Sequence, residues 1–342
     1  MSTAYCYDER FLRHSYPNHP ENAGRLTAIM DGLAETNLID RLERVAARPA
    51  SEAEIARVHT RSYIQQVRTV AERGGGHLDP DTYVVPDSFD AALLAAGGLI
   101  ALTDAVLDGH VRNGFALVRP PGHHALTGRG MGFCIFNNVA IAARHALTRP
   151  EIEQVMIVDF DVHHGNGTQD SFDADPGVLF VSTHQFPHYP GTGRVSEIGR
   201  GPGEGSTVNV PLPAGVGDEG YAQIMQEVAW PLAHRYDPQL LLVSAGFDAH
   251  WTDPLAMMQL SLTGYAHLAR ELVAIAGELT DGKILFTLEG GYDVNVLSIA
   301  VQNAFYALLD DPTVTDPIGR SPYTETPVRE RLAEVRRTHN IL

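Results

Sequence analysis

From residue 115 onward, the chain alternates short apolar runs with longer amphipathic stretches. Residues 115–118, 155–158, 178–182, 208–210, 240–243 and 284–288 are rich in aliphatic or β-branched side chains and lack turn formers, as strands buried on both faces do. Spacing of about 3.6 residues predicts helices over 136–147, 220–234, 263–278 and 294–309. This alternation predicts an α/β fold built on a mostly parallel central sheet with helices on both faces. Upstream, 5–7 reads as a short first strand, and Asn18-His19-Pro20-Glu21 as a loop leading into a helix that ends near Glu35. Helices are also predicted over 51–57 and 62–72, the second stopped by Gly74-Gly75-Gly76. Residues 77–87 read as a polar loop at a pocket rim, and Ser88 as the cap of a long Ala/Leu-rich helix to Leu107. Residues 311–342, rich in Pro, Thr and charge with a helical pattern over 327–337, read as a surface wrap on one domain spanning 1–342.

Ligands of open α/β sheets bind beyond the carboxyl ends of the strands, and four apolar runs end there in polar clusters. The 115–118 run leads into Arg119-Pro120-Pro121-Gly122-His123-His124, and 155–158 into a loop carrying Asp159, Asp161, His163, His164 and Asn166. The 240–243 run leads to Asp248, and 284–288 to Glu289-Gly290-Gly291-Tyr292. One such cluster is unremarkable as a cap or a satisfied loop. Four at one edge imply a site. Asp161 and His163 are two apart, so in extended chain their side chains leave on the same side and can converge on a cation. With Asp248 as a third ligand the set suits catalytic Zn²⁺, which keeps about three protein ligands and a position for water. Either or both of His123 and His124, fixed behind a Pro-Pro-Gly turn, can work as general base and acid, with Asp159 and Asn166 candidates to hold their distal ring nitrogens. Tyr292, behind two glycines, can donate to an oxyanion. Together these describe hydrolysis of an amide by metal-activated water.

Composition narrows this picture. At 342 residues with 44% hydrophobic content the chain can bury a large core, and a formal net charge of −17 argues against direct nucleic-acid binding. Two cysteines, Cys6 and Cys134, form no disulfide framework, which suits a reducing, cytoplasmic compartment. The first fifteen residues lack an apolar h-region, so no signal peptide is expected, and the apolar run over 91–102 is short for a bilayer span. No membrane partner is expected, and an oligomer is compatible with the sequence.

The motifs carry a resemblance to the zinc-dependent histone deacetylase family, of the arginase/deacetylase fold. It runs from about His19 to Leu309 and rests on Arg119-Pro-Pro-Gly-His-His-Ala125, Gly132-Phe-Cys-Ile-Phe-Asn137, Asp159-Phe-Asp-Val-His-His-Gly-Asn-Gly-Thr168, Pro190-Gly-Thr-Gly193, Ser244-Ala-Gly-Phe-Asp248 and Leu288-Glu-Gly-Gly-Tyr292. The resemblance implies a single-domain deacetylase in which Asp161, His163 and Asp248 bind zinc, His124 is base and acid, His123 is its electrostatic partner and Tyr292 polarises the acetyl carbonyl. It implies an acyl tunnel between Phe133 and Tyr189, Gly132 accepting the substrate amide, and Asp81 near the anchor for the substrate backbone. It also implies structural K⁺ at an inner site (Asp159, Asp161, His163, Ser182, Thr183) and an outer one (Phe172, Asp175, Val178, Tyr221), with ferrous iron the alternative to zinc in the cell. Asn166 and the Leu-Glu-Gly-Gly-Tyr motif resemble class II deacetylases and bacterial amidohydrolases. The expected substrate is acetyl-lysine in proteins or peptides, the alternative an acetylpolyamine or other small acetylated amine. Leu255 follows Asp253-Pro254 where polyamine-selective eukaryotic relatives have a glutamate, which weakens that alternative.

Overall fold

A computed structural model describes residues 2–341. In chain order the elements are β1 (Thr3–Cys6), α1 (Gly24–Glu35), β2 (Glu43–Val45), α2 (Glu52–Ile55), α3 (Arg61–Glu72), β3 (Gly76–Asp79), β4 (Thr82–Val84), α4 (Ser88–Leu107), β5 (Asn113–Ala116) and α5 (Asn138–Ala146). They continue with β6 (Val155–Asp159), α6 (Asn166–Phe172), β7 (Val178–Gln185), β8 (Thr207–Leu212), α7 (Asp218–Ile224), α8 (Trp230–Tyr236), β9 (Leu240–Ala245), α9 (Leu262–Leu279), β10 (Ile284–Leu288), α10 (Val294–Leu308) and α11 (Arg329–Thr338). Eight strands form one sheet in the order β2-β1-β5-β10-β9-β6-β7-β8. Every pairing in it is parallel. The α/β reading therefore holds. The register places Asp159 opposite Ser182 on one side and Ser244 on the other, so the loops that follow β6 and β9 leave the sheet side by side.

Local chemistry sets most helix starts. Ser51 and Glu54 form a reciprocal capping box on α2. The side chains of Thr60, Asn137, Ser261 and Asp293 accept the first free amides of α3, α5, α9 and α10.

Several expected boundaries move. The residues 77–87, expected as a loop, contain the β3–β4 hairpin, in which Tyr83 and Val84 are buried although the stretch looks polar overall. Ser88 does not cap α4 in the usual sense. Its hydroxyl accepts the Val85 amide at 2.7 Å and pairs with Nδ1 of His14 at 2.7 Å. The 220–234 helix is two helices, α7 and α8, joined through a π-helical turn at Met225–Ala229. Strand β2, at the sheet edge, carries Glu43 and Arg44 and so lacks an apolar signature. Helix α4 outruns the apolar stretch that marked it: its 20 residues have the length and mean hydropathy of a spanning helix. It lies inside the domain with 67% of its apolar window buried, as a core helix does.

The segment after α10 is fastened at intervals. Asn303 exchanges two 2.9 Å hydrogen bonds with the Thr315 backbone, and the Trp251 indole N–H donates to Gly319 at 2.9 Å. The Glu325 carboxylate accepts the amides of Gly217, Glu219 and Gly220 at 3.2, 3.1 and 3.4 Å, putting negative charge at the start of α7.

One ion cluster joins the N-terminal segment to the sheet. Glu21 is fully buried between Arg25 and Arg119, themselves fully buried. Arg119 reaches both its carboxylate oxygens, and Arg25 lies 3.3 Å from one of them. Burial raises the Glu21 carboxyl, but the Arg119 charge and hydrogen bonds outweigh it and hold it at about 2. A group held below its ordinary 4.5 stabilises fully above that pH and loses the contribution as pH falls toward 2. Glu21→Gln leaves two guanidiniums short of a counter-charge and is expected to cost about 3–5 kcal/mol in urea unfolding at pH 7. The gap from wild type should narrow below pH 4.5; a pH-independent gap would refute the assignment of this stability to charge.

Candidate metal centre

Four loops at the carboxyl edge of β5, β6, β9 and β10 build the site. After β6, Asp161 turns inward and is almost wholly buried; Oδ1 accepts the His163 amide at 2.9 Å and Oδ2 the Gly290 amide at 2.8 Å. Asp248, after β9, accepts the Val162 amide at 2.9 Å. Nδ1 of His163 lies 3.1 Å from Asp161 Oδ1 and 3.1 Å from Asp248 Oδ2. The backbone is close because Gly246 and Gly290 face this point, where a Cβ would strike the Asp161 and Asp248 carboxylates.

These three donors fit zinc. Donors about 2.0–2.1 Å from one tetrahedral ion stand roughly 3.3 Å apart. Two buried carboxylates share the point, with no Arg or Lys beside them among the described residues. The demand for positive charge shows in His163: burial lowers its pKa, yet hydrogen bonds to Asp161 and Asp248 drag it up to about 10. Asp161 is held low, because the charges of His123 and His163 overcome its burial, while burial and the Asp161 charge push Asp248 up. An ion at this point satisfies all three groups.

A second grouping, His123 with Cys134 and Glu289, also lies within ligand distance. Its carboxylate is already engaged. Glu289 accepts the amides of Gly122 and His123 at 2.8 and 3.2 Å and the Ser244 hydroxyl at 3.2 Å. Nδ1 of His123 faces Asp159, and Cys134 is a fully buried thiol raised well above its ordinary pKa by burial.

The adjacent histidines diverge electrically. His123 Nδ1 meets Asp159 Oδ2 at 3.0 Å, and His124 Nδ1 meets Asn166 Oδ1 at 2.8 Å; the rings stand 4.0 Å apart. Burial depresses both, but the charges of Asp159, Asp161 and Glu289 overcome it in His123, whose pKa rises well above 6.5. His124 has a neutral amide partner, and burial with the charges of His123 and His163 sends it well below 6.5. Since Asn166 Oδ1 only accepts, Nδ1 of His124 carries hydrogen and Nε2 is the free base. Asp159, fully buried, is raised to about 6 by burial against the pull of His123. His164 takes no part here: its nitrogens bind Thr192 and Gln169 at 2.8 and 3.0 Å, tying down the turn after Pro190.

A cavity of about 220 Å³ opens over the ligand point. His124, His163 and Tyr292 line it with Gly132, Phe133, Tyr189 and Asp81, so every expected substrate-contact residue reaches it. Tyr189 stands edge-on to His124 at 5.2 Å, and Phe133 edge-on to Tyr292 at 5.8 Å. Gly132 abuts the His124 ring. Asp81, in the turn between β3 and β4, is raised by burial and by its neighbour Asp79. Burial and the Asp248 charge keep the Tyr292 hydroxyl protonated, hence a donor.

Three contributors had no assigned role from sequence. Glu289 bridges three of the loops. Arg25 donates through Nε to the Gly291 carbonyl at 2.8 Å, with its guanidinium 5.2 Å from the Tyr292 ring centre. His188 stacks on His163 at 5.2 Å and donates from Nε2 to the Leu255 carbonyl at 3.0 Å; both His188 and Leu255 line the cavity. The Glu21-to-Arg25 spacing of four was the one local signal for Arg25.

Residues 19–308 match the histone deacetylase domain family. A probable deacetylase of Archaeoglobus fulgidus is 44% identical over 297 residues, covering 86% of this chain and 82% of that protein. The polyamine deacetylase HDAC10 of Homo sapiens is 41% identical over 330 residues, covering 91% of this chain and 49% of that protein. The crystal structure of the HDA15 HD domain superposes with a TM-score of 0.90 at 39% identity, covering 99% of this chain and 94% of that one.

Asp161→Asn and Asp248→Asn are each expected to weaken zinc binding at least about 100-fold, beyond the 10- to 100-fold typical of an outer partner. His124→Ala should bind zinc within about threefold of wild type in the same chelator competition. Loss of zinc from His124→Ala would make His124 a ligand instead.

Proposed function

This chain belongs to the histone deacetylase family and is a metal-dependent deacetylase; we propose that its substrate is the acetylated side-chain amine of lysine in a peptide or protein. One observation carries the reading: the three convergent donors lie under a narrow cavity with aromatic sides, His124 and Tyr292 flanking them. That shape suits an extended alkyl chain ending in an amide. Zinc held by Asp161, His163 and Asp248 supplies Lewis acidity toward the acyl oxygen and makes water a better nucleophile. Nε2 of His124 takes the proton from water and returns it to the departing amine. His123, paired with Asp159, holds positive charge beside it. The Tyr292 hydroxyl donates to the acyl oxygen as negative charge builds there. Phe133 and Tyr189 exclude water along the chain, Gly132 accepts the substrate amide, and Asp81 holds the backbone at the rim. Structural potassium at the inner and outer positions, and zinc rather than ferrous iron at the centre, belong to the same reading; elemental analysis of protein purified without oxygen tests both.

A second reading is an acetylated polyamine or similar small amine. The Asp81 carboxylate at the rim, with Asp79 beside it, favours it as an attraction for a distal ammonium, and so does the likeness to a protein named a polyamine deacetylase. Leu255 disfavours it, being apolar where those relatives place a glutamate. Comparison of kcat/KM on an acetyl-lysine peptide and on acetylated polyamines decides, the peptide being expected to lead; a polyamine lead would reverse the assignment. Tyr292→Phe should retain zinc and lose about 10²–10³ in kcat, the usual weight of one oxyanion donor. Undiminished turnover would remove Tyr292 from the chemistry.

A further inference from the structure

Tyr292 hangs on a pliable segment. Gly290 and Gly291 precede it, the latter at φ +113°, a conformation open to glycine and strained for other residues, so the backbone there has little stiffness of its own. Its placement comes from outside. Arg25 holds the carbonyl side, and residues 250–255 hold the amide side. Asp253 Oδ2 accepts the Tyr292 amide at 2.8 Å, and its Oδ1 accepts the Leu255 amide at 2.9 Å. Thr252 donates its hydroxyl to Asp293 Oδ2 at 2.7 Å, one residue beyond the tyrosine. Leu255 in turn lines the cavity, and its carbonyl receives His188.

Asp253 is a costly residue to place there. It is 6% exposed and has no Lys, Arg or His in salt-bridge reach among the described residues. Burial and the nearby Asp248 charge push its carboxyl up to about 7. A buried carboxylate beside a like charge, answered by backbone amides alone, opposes folding. Each of its oxygens serves one amide of a loop at the cavity.

We infer that Asp253 is a positioning residue that fixes the Tyr292 loop to the cavity wall at Leu255, so that one carboxylate sets both the reach of the phenol and the edge of the cavity beside it. This rests on the reading of Tyr292 as donor to the acyl oxygen. Asparagine cannot replace the carboxylate here, since it offers one acceptor oxygen and would turn an NH₂ toward an N–H.

The test compares Asp253→Asn and Tyr292→Phe with wild type, all loaded with zinc. Zinc content, kcat and KM on an acetyl-lysine peptide are measured. So are the affinities of two ligands with the same alkyl chain: a hydroxamate, whose carbonyl oxygen can accept from Tyr292, and a thiol, which has no oxygen. Asp253→Asn is expected to keep its zinc and lose about tenfold in kcat with KM within about threefold, the scale of one misplaced hydrogen bond. Hydroxamate affinity should fall about tenfold and thiol affinity stay within about twofold. Tyr292→Phe should show the same asymmetry. If Tyr292→Phe shows it and Asp253→Asn does not, the role of Asp253 is overturned and the tyrosine keeps its own; if neither shows it, both fall. Equal loss of both ligands in Asp253→Asn means general loosening and also overturns the inference. Should Asp253→Asn fail to fold, Thr252→Val, which removes the hydroxyl's bond to Asp293 and its pairing with Nδ1 of His250, is expected to lower hydroxamate affinity about threefold and leave the thiol unchanged. Parallel loss of both ligands in Thr252→Val, or no change in either, overturns it as well.

Discussion

Two carboxylates, Asp161 and Asp248, are forced into one buried pocket with an imidazole and, among the described residues, no Arg or Lys, and the surrounding architecture answers that constraint. Three backbone amides from two segments, Val162 and His163 after β6 and Gly290 after β10, point at their oxygens and meet part of the desolvation cost. Parallel pairing of β6 with β9, and of β9 with β10, brings the three loops to one place, and missing side chains at Gly246 and Gly290 let them close. The remaining charge deficit is what a divalent ion supplies. Without it, the imidazole would have to carry a proton that a ligand nitrogen cannot keep.

The same field divides His123 from His124. Neighbours in sequence and in space, their rings tilted by 39°, they differ in one partner, an acid for the first and an amide for the second. The acid anchors positive charge on His123, and burial together with that charge keeps His124 neutral, its Nε2 bare. A cation and a base therefore stand 4.0 Å apart, their roles separated by the chemistry of residues 159 and 166.

Much of this was legible in the sequence because the carriers were local. The strands of a doubly covered parallel sheet are unbroken apolar runs, and the candidate site groups sit directly behind them, so Asp161, His163, Asp248, His124 and Tyr292 could be read from position in a run. The residues that escaped do their work across the chain. Arg25 reaches the Tyr292 loop 266 residues away, and Glu289 binds an amide 167 residues back; neither spacing leaves a trace in a window of ten or fifteen residues. β2 was missed because an edge strand need not be apolar. The β3–β4 hairpin was missed because its buried positions, Tyr83 and Val84, are outnumbered by polar neighbours that serve the rim. Ser88 misled for a related reason: a serine before an apolar helix usually caps it, but here the hydroxyl answers the preceding turn and a histidine from residue 14.

The strand order has a consequence for biosynthesis. β5 is flanked by β1, made long before it, and by β10, made about 170 residues after it. The middle of the sheet is thus completed by a late segment, and α4, twenty residues of mostly apolar surface, leaves the ribosome with β1, β2, β5 and α5 close by in the chain but its neighbour β10 still to come. Translation must run nearly to residue 288 before β10 can close its part of that surface, an interval of tens of seconds or less at about 5–20 residues per second. Throughout that interval the edge of β5 that β10 will join stays open, an unpaired strand edge in the nascent chain.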